Sequence, residues 1–150
     1  MAGLRFRQAP APVTVSAAKT TLLQLLAATN QRCLVGEASI SFNGTSNTAT
    51  PILCEIVKQT SGGTITNSDT LVKEDAAYGE TIQTVGKDTA TVEPTDSGAV
   101  LTTEYVHPQT GFLWQSKYAE EHVIVGAGRL GLRVTPAAGV NANARFVCVE

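Results

Sequence analysis

Glu121-His-Val-Ile-Val-Gly-Ala-Gly-Arg-Leu-Gly-Leu-Arg-Val-Thr135 is compatible with two folds, and only one of them makes the chain a nucleotide-binding enzyme. As a dinucleotide loop, the apolar run Val123-Ile-Val125 would feed Gly126-x-Gly128-x-x-Gly131, with Glu150 roughly where an acidic ribose ligand sits. That chemistry requires the last glycines to open a helix whose N-terminal N–H groups hold the pyrophosphate. Instead Leu130, Leu132 and Val134 alternate with Gly131 and Arg133, which is the period of a strand. Pro136, Gly139, Asn141 and Asn143 would fill the helix interior, where Pro costs about 3 kcal/mol and Gly about 1. The stretch therefore predicts two strands joined by a glycine turn, a closing hairpin with Leu130, Leu132 and Val134 towards the core. Gly131 marks a strand position that another backbone or side chain approaches closely. Arg129 and Arg133 are then expected to point outward, as candidates for contact between subunits.

The rest of the chain favours the same class. Charged residues make up only 16% of the 150, and twenty residues are Thr, many alternating with Val, Ile and Leu. β-Branched side chains suit pleated, half-buried surfaces. Strand patterns occur at Pro12–Ser16, Gln31–Asn43, Pro51–Thr60, Val100–Val106, Gly111–Tyr118 and Ala144–Glu150, with short candidates at Thr64–Thr66 and Thr70–Lys73. Thr20–Ala28 fits either a buried strand or two helical turns, because Leu22, Leu23, Leu25 and Leu26 satisfy both spacings, and the strand is preferred. Gly36 suggests a bulge, and Asn43-Gly44 a turn opening a polar loop. Glu74–Gly98 is expected to be a long loop with one alternating island at Glu80–Val85. About eight to ten short strands predict an all-β, jelly-roll-like antiparallel β-sandwich over residues 13–150, preceded by an extended N-terminal arm at 1–12. Within that arm Arg5 and Arg7 flank Phe6 ahead of Pro10-Ala-Pro12, so these three are candidate interface residues, and deletion of residues 1–12 is expected to weaken association with neighbours while leaving the domain folded.

Enzymatic constellations are thin. His107 precedes a proline in a turn and His122 starts a strand beside Glu120 and Glu121, and both are expected to be ordinary turn or surface histidines. Cys33, Cys54 and Cys148 lie far apart without Cys-x-x-Cys spacing and are expected to be buried free thiols, so no metal, cofactor or catalytic residue is assigned. A net charge of −2 gives no electrostatic footprint for nucleic acid. The longest apolar run, Leu22–Ala28, is far short of the roughly 20 residues that span a bilayer, and no signal-peptide pattern follows Met1, so no membrane partner and synthesis in the cytoplasm are expected. Phe112, Trp114 and Tyr118 share one strand face, where a core or a subunit interface explains them better than base stacking, and Trp114 and Tyr118 are candidate interface residues.

Lys19-Thr-Thr-Leu-Leu-Gln-Leu-Leu26, Ser39-Ile-Ser-Phe-Asn-Gly-Thr-Ser46, Pro51-Ile-Leu-Cys-Glu-Ile-Val57, Val92-Glu-Pro94, Val106-His-Pro-Gln-Thr-Gly111 and Arg129-Leu-Gly-Leu-Arg-Val134 together resemble the head decoration, or cement, proteins of tailed bacteriophages. The likeness spans roughly residues 13–150 and rests on short turns and strands. It implies a non-enzymatic virion protein on the outer capsid surface, a homotrimer that ties neighbouring capsomers of major capsid protein together. Many weak contacts in parallel would then stabilise the shell. A carbohydrate- or receptor-binding jelly-roll module of a virion is the alternative, motivated by Trp114, Tyr118, Tyr105 and the long polar loops.

Overall fold

A computed structural model describes residues 3–43, 50–117 and 119–150. The Asn43-Gly44 turn with the loop that it opens, and Tyr118, lie outside the described residues. In chain order the strands are β1 (Arg5–Gln8), β2 (Val13–Val15), β3 (Thr20–Leu26), β4 (Cys33–Asn43), β5 (Ile52–Gln59), β6 (Thr64–Asp69) and β7 (Val72–Lys73). They continue with β8 (Val85–Val92), β9 (Asp96–Val106), β10 (Phe112–Gln115), β11 (His122–Ile124), β12 (Arg129–Thr135) and β13 (Val140–Val149). No helix occurs among the described residues, and thirteen strands replace the expected eight to ten because several of them are only two to four residues long.

Two antiparallel sheets form the sandwich. One runs β10-β4-β13-β1-β7, with β11 also on β4 and β2 also on β13; the other runs β6-β8-β3-β12-β5-β9. Strand β4 pairs with β13 and β5 with β12, so an early and a late pair of strands wind round each other in jelly-roll fashion. The inner faces meet over Phe6, Leu23, Leu25, Ile40, Ile56, Leu130, Leu132 and Phe146, all essentially without solvent exposure. Cys33, Cys54 and Cys148 are buried free thiols, as the apolar surroundings predicted. Burial, with the neighbouring carboxylates of Glu104 and Glu55 next, pushes the Cys54 thiol up to about 12.

Two ambiguous patterns resolve as bulges. In β3 the register on β12 steps from Leu132↔Leu23 to Arg133↔Thr21, leaving Leu22 as the extra residue. A bulge puts consecutive side chains on one side, which is why this segment carries a helix-like double leucine. In β4 the register steps from Glu37↔Val147 to Val35↔Cys148, leaving Gly36 unpaired as its composition suggested.

The glycine stretch is strand–turn–strand, but it is not a hairpin. β11 belongs to the seven-stranded sheet and β12 to the other, so Val125–Gly128 is a corner that carries the chain between layers. The corner closes with the Gly128 amide donating to the Val125 carbonyl at 2.7 Å, and Ala27 donates to the Gly128 carbonyl at 3.1 Å. A Cβ on Gly126 would stand 2.2 Å from the Thr29 carbonyl oxygen, so only glycine lets the corner dock on the β3–β4 connection. Gly131 lies in the strand beneath the side chain of Gln59, whose atoms would be 2.6 Å from an added Cβ.

Residues 3–12 do not form a free arm. Strand β1 is extended, but it is inserted between β13 and β7, with Phe6 opposite Cys148 on one side and Lys73 on the other. Leu4, Phe6 and Gln8 are buried, because alternation sends every second residue into the sandwich. Pro10 and Pro12 supply no N–H for the ladder and therefore only interrupt it: β2 resumes on the same partner, with Val13 opposite Ala142. The chain ends hold each other, since Leu4 and Glu150 exchange backbone hydrogen bonds of 2.9 and 3.1 Å. The Glu150 carboxylate, far from any ribose role, accepts from the amides of Gln83 and Thr84 at 2.6 and 3.0 Å. Residues 80–84 of the alternating island lie outside the strands, and the strand begins only at Val85, where β3 and β6 supply partners to a locally poor strand former.

Truncation of Phe6 to alanine should lower the unfolding free energy by about 3–5 kcal/mol in a denaturant titration, the cost of a buried aromatic cavity. A loss within error of zero would restore the detachable arm.

Candidate functional site

Strand alternation leaves an outer face on each sheet, and that of the seven-stranded sheet is the candidate surface. Three rows of directly opposed residues cross it: Val123, Leu34, Val149 and Arg5; then Gln115, Glu37, Val147, Arg7 and Val72; then Leu113, Ser39 and Arg145. Opposed residues in an antiparallel pair project to the same side, so each row is a ridge of contacting side chains. The bulge at Gly36 breaks the ridges and leaves a depression of about 420 Å³ between Arg5, Leu34, Glu37, Gln115 and Val149. Leu113 and Val72 stand 58% and 60% exposed at the margins, more than any apolar core contact allows.

The charges on this face are held in ion pairs, three arginines on two glutamates. Glu37 accepts a hydrogen bond from Gln115 Nε2 at 2.9 Å and forms an ion pair with the Arg145 guanidinium. The Gln115 bond, and after it the Arg145 charge, hold the Glu37 carboxyl below the usual range against the opposing effect of burial. Glu74 accepts Arg7 Nε at 2.6 Å and Arg5 Nε at 3.2 Å, and the Arg7 bond leads in lowering its carboxyl. The result is a ridged surface on which clamped ion pairs lie between exposed apolar spots.

The residues singled out from sequence separate. Arg5 and Arg7 lie on this face, with side chains 62% and 51% exposed, whereas Phe6 between them is in the core. Trp114 projects to the inner side and stacks on His122, ring centroids 4.0 Å apart and planes 7° from parallel. His122 is half-buried: its Nε2 lies 3.3 Å from Thr102 Oγ1, and burial, with Lys58 second, lowers its basicity. Arg129 lies on the opposite sheet and donates to the Thr60 carbonyl at 3.4 Å.

Arg133 does not point into solvent. Its Nε donates to Glu55 Oε2 at 2.7 Å, and its Nη1 pairs with Asp96. Two turns strap the outer face of the six-stranded sheet over it: Thr60 donates to the Thr95 carbonyl at 2.8 Å, and Thr95 to Ser61 Oγ at 2.8 Å. Beneath them Gln24 Nε2 donates to Gln59 Oε1 at 2.7 Å, Gln59 Nε2 to Thr21 Oγ1 at 3.1 Å, and Thr21 Oγ1 to Glu93 Oε2 at 2.8 Å. Burial opposes the Arg133 charge, but the bonds to Glu55 and Asp96 prevail and keep it above its ordinary range. Sequence alternation assigned Arg133 correctly to the non-core face; the covering turns, seventy-odd and forty residues away, were not legible.

Comparison of the chain with protein-family models, with curated proteins and with solved structures finds no match in any of the three.

Replacement of Arg133 by methionine should cost about 3–5 kcal/mol, because Glu55 is left as a buried charge without its partner. The loss should shrink when Glu55→Gln is combined with it, as read from a double-mutant cycle in urea. Independent, additive effects would show that the pair does not couple.

Proposed function

We propose that this chain is a capsid decoration protein that attaches to the outer surface of a phage head and links neighbouring capsomers of the major capsid protein. The observation that carries the proposal is the outer face of the seven-stranded sheet, with its crossing ridges, internally paired charges and exposed apolar margins. It supports attachment by a rigid sheet surface, with the N-terminal arginines acting as part of that surface. The sequence resemblance to cement proteins points the same way and brings with it a homotrimer. Each copy would need only modest affinity, since simultaneous contacts around a lattice multiply it.

The rival module for glycans or receptors draws on Trp114, Tyr118 and Tyr105. Trp114 has one ring face covered by His122, and Tyr105 lies on the other sheet, so those two do not form one stacking platform.

On particles stripped of the protein, the wild type should rebind and raise the temperature at which DNA is released. Leu113→Asp combined with Arg145→Glu should reduce occupancy at least tenfold in co-sedimentation, while Tyr105→Ser on the opposite sheet binds normally. Equal binding by both variants would exclude this face. Unchanged particle stability with the wild type bound would exclude the cement role.

A further inference from the structure

Two short strands at one edge of the seven-stranded sheet rest on a single neighbour: among the described residues β10, of four residues, and β11, of three, each pair with β4 alone. Ladders this short hold weakly by themselves. The attachment of the two strands therefore depends on what their inward side chains meet. Phe112 and Ile124 enter the core, whereas Trp114 and His122, opposite Ala38 and Val35, stack on each other with ring centroids 4.0 Å apart. That stack joins β10 to β11. His122 then carries the link across the sandwich, because its Nε2 lies 3.3 Å from Oγ1 of Thr102, a residue of β9 opposite the buried Ile56.

The surroundings of the ring suit its neutral form. From β5 comes Lys58, opposite the buried Leu130 and so on the inner phase. From β9 come the Thr102 hydroxyl and, on the same phase, Glu104 opposite Cys54; Glu120 and Glu121 precede the histidine in the chain. Among the described residues none of these carboxylates forms an ion pair with His122. A neutral imidazole has one donor and one acceptor nitrogen, and a hydroxyl can satisfy either. An imidazolium brings a charge into a half-buried place within reach of the Lys58 charge, and burial first, then Lys58, holds its basicity below the ordinary histidine range.

We propose that His122 is a pH-sensitive latch: its neutral ring ties β10 and β11 to β9 of the opposite sheet, and its protonation weakens that tie and releases the two strands. The folded value lies below the ordinary 6.5, so the proton binds more tightly to the opened form. The tie is fully present above 6.5 and is lost as pH falls from there through the lowered folded value. This device belongs to the fold and stands apart from the decoration role.

Trp114 is the sole tryptophan and His107 the sole other histidine, so the latch can be read directly. A stacked imidazolium quenches indole emission, which should therefore titrate with a midpoint below 6.5. His107→Gln should leave that transition in place, and His122→Gln should remove it. Native-state hydrogen exchange gives the second readout. Between 6.5 and the midpoint the opening constant of the β10 and β11 amides should rise about tenfold for each unit of falling pH, the linkage of one proton, while that of β13 stays level. His122→Gln should flatten the dependence. Should that variant fail to fold, His107→Gln leaves His122 as the one imidazole, and the exchange profile measured on it decides. A midpoint at or above 6.5, where the attraction of the indole face for a cation prevails, overturns the proposal. So does a transition that survives in His122→Gln, or an opening constant of β10 and β11 that does not change with pH.

Discussion

Strand β1 lies between β13 and β7, with Phe6 sealed in the core and Leu4 bonded to Glu150. Remove it and β7 loses the partner that it has among the described residues, the inner face of β13 opens to water, and Glu150 is released from the β7–β8 connection that its carboxylate holds. The two ends of the chain thus complete one sheet together. That non-local closure fixes the outer face as well as the core, because the same alternation that buries Phe6 presents Arg5 and Arg7 to Glu74.

The consequence for function is geometric. A tethering arm can search for a partner and order on binding, at an entropic cost; a strand inside a sheet cannot. In the proposed decoration role, attachment falls to a preformed surface, where Glu37 and Glu74 already hold Arg145, Arg5 and Arg7 in place. Such a surface binds without reorganisation, and its specificity comes from matching ridges and paired charges.

Much of the layer plan was legible in the chain. The alternation of Leu130, Leu132 and Val134, the lone Gly36 in an otherwise regular strand, and the buried settings of the three cysteines were all read from local pattern, and all are found. What escaped depends on distant pairing. Arg-Phe-Arg before a Pro-x-Pro segment has the composition of a linker, and only β13 and β7 make it a strand. Val85–Val92 contains Gly86, Lys87 and Asp88, poor local strand formers, and is a strand because β3 and β6 flank it. The face proposed for docking was half visible: Arg5 and Arg7 were singled out, but Glu37, Arg145, Leu113 and Val147 were not. In β13 both phases carry apolar residues, so the sequence does not say which side is inward.

The claim that residues 4–8 are an integral strand of the sandwich is tested most directly by native-state hydrogen exchange. The amides of β1 should exchange only through global unfolding, with the same opening free energy and denaturant dependence as those of β4 and β13. Exchange of β1 at an opening free energy near zero, while β13 remains fully protected, would contradict it and return these residues to the role of a mobile arm.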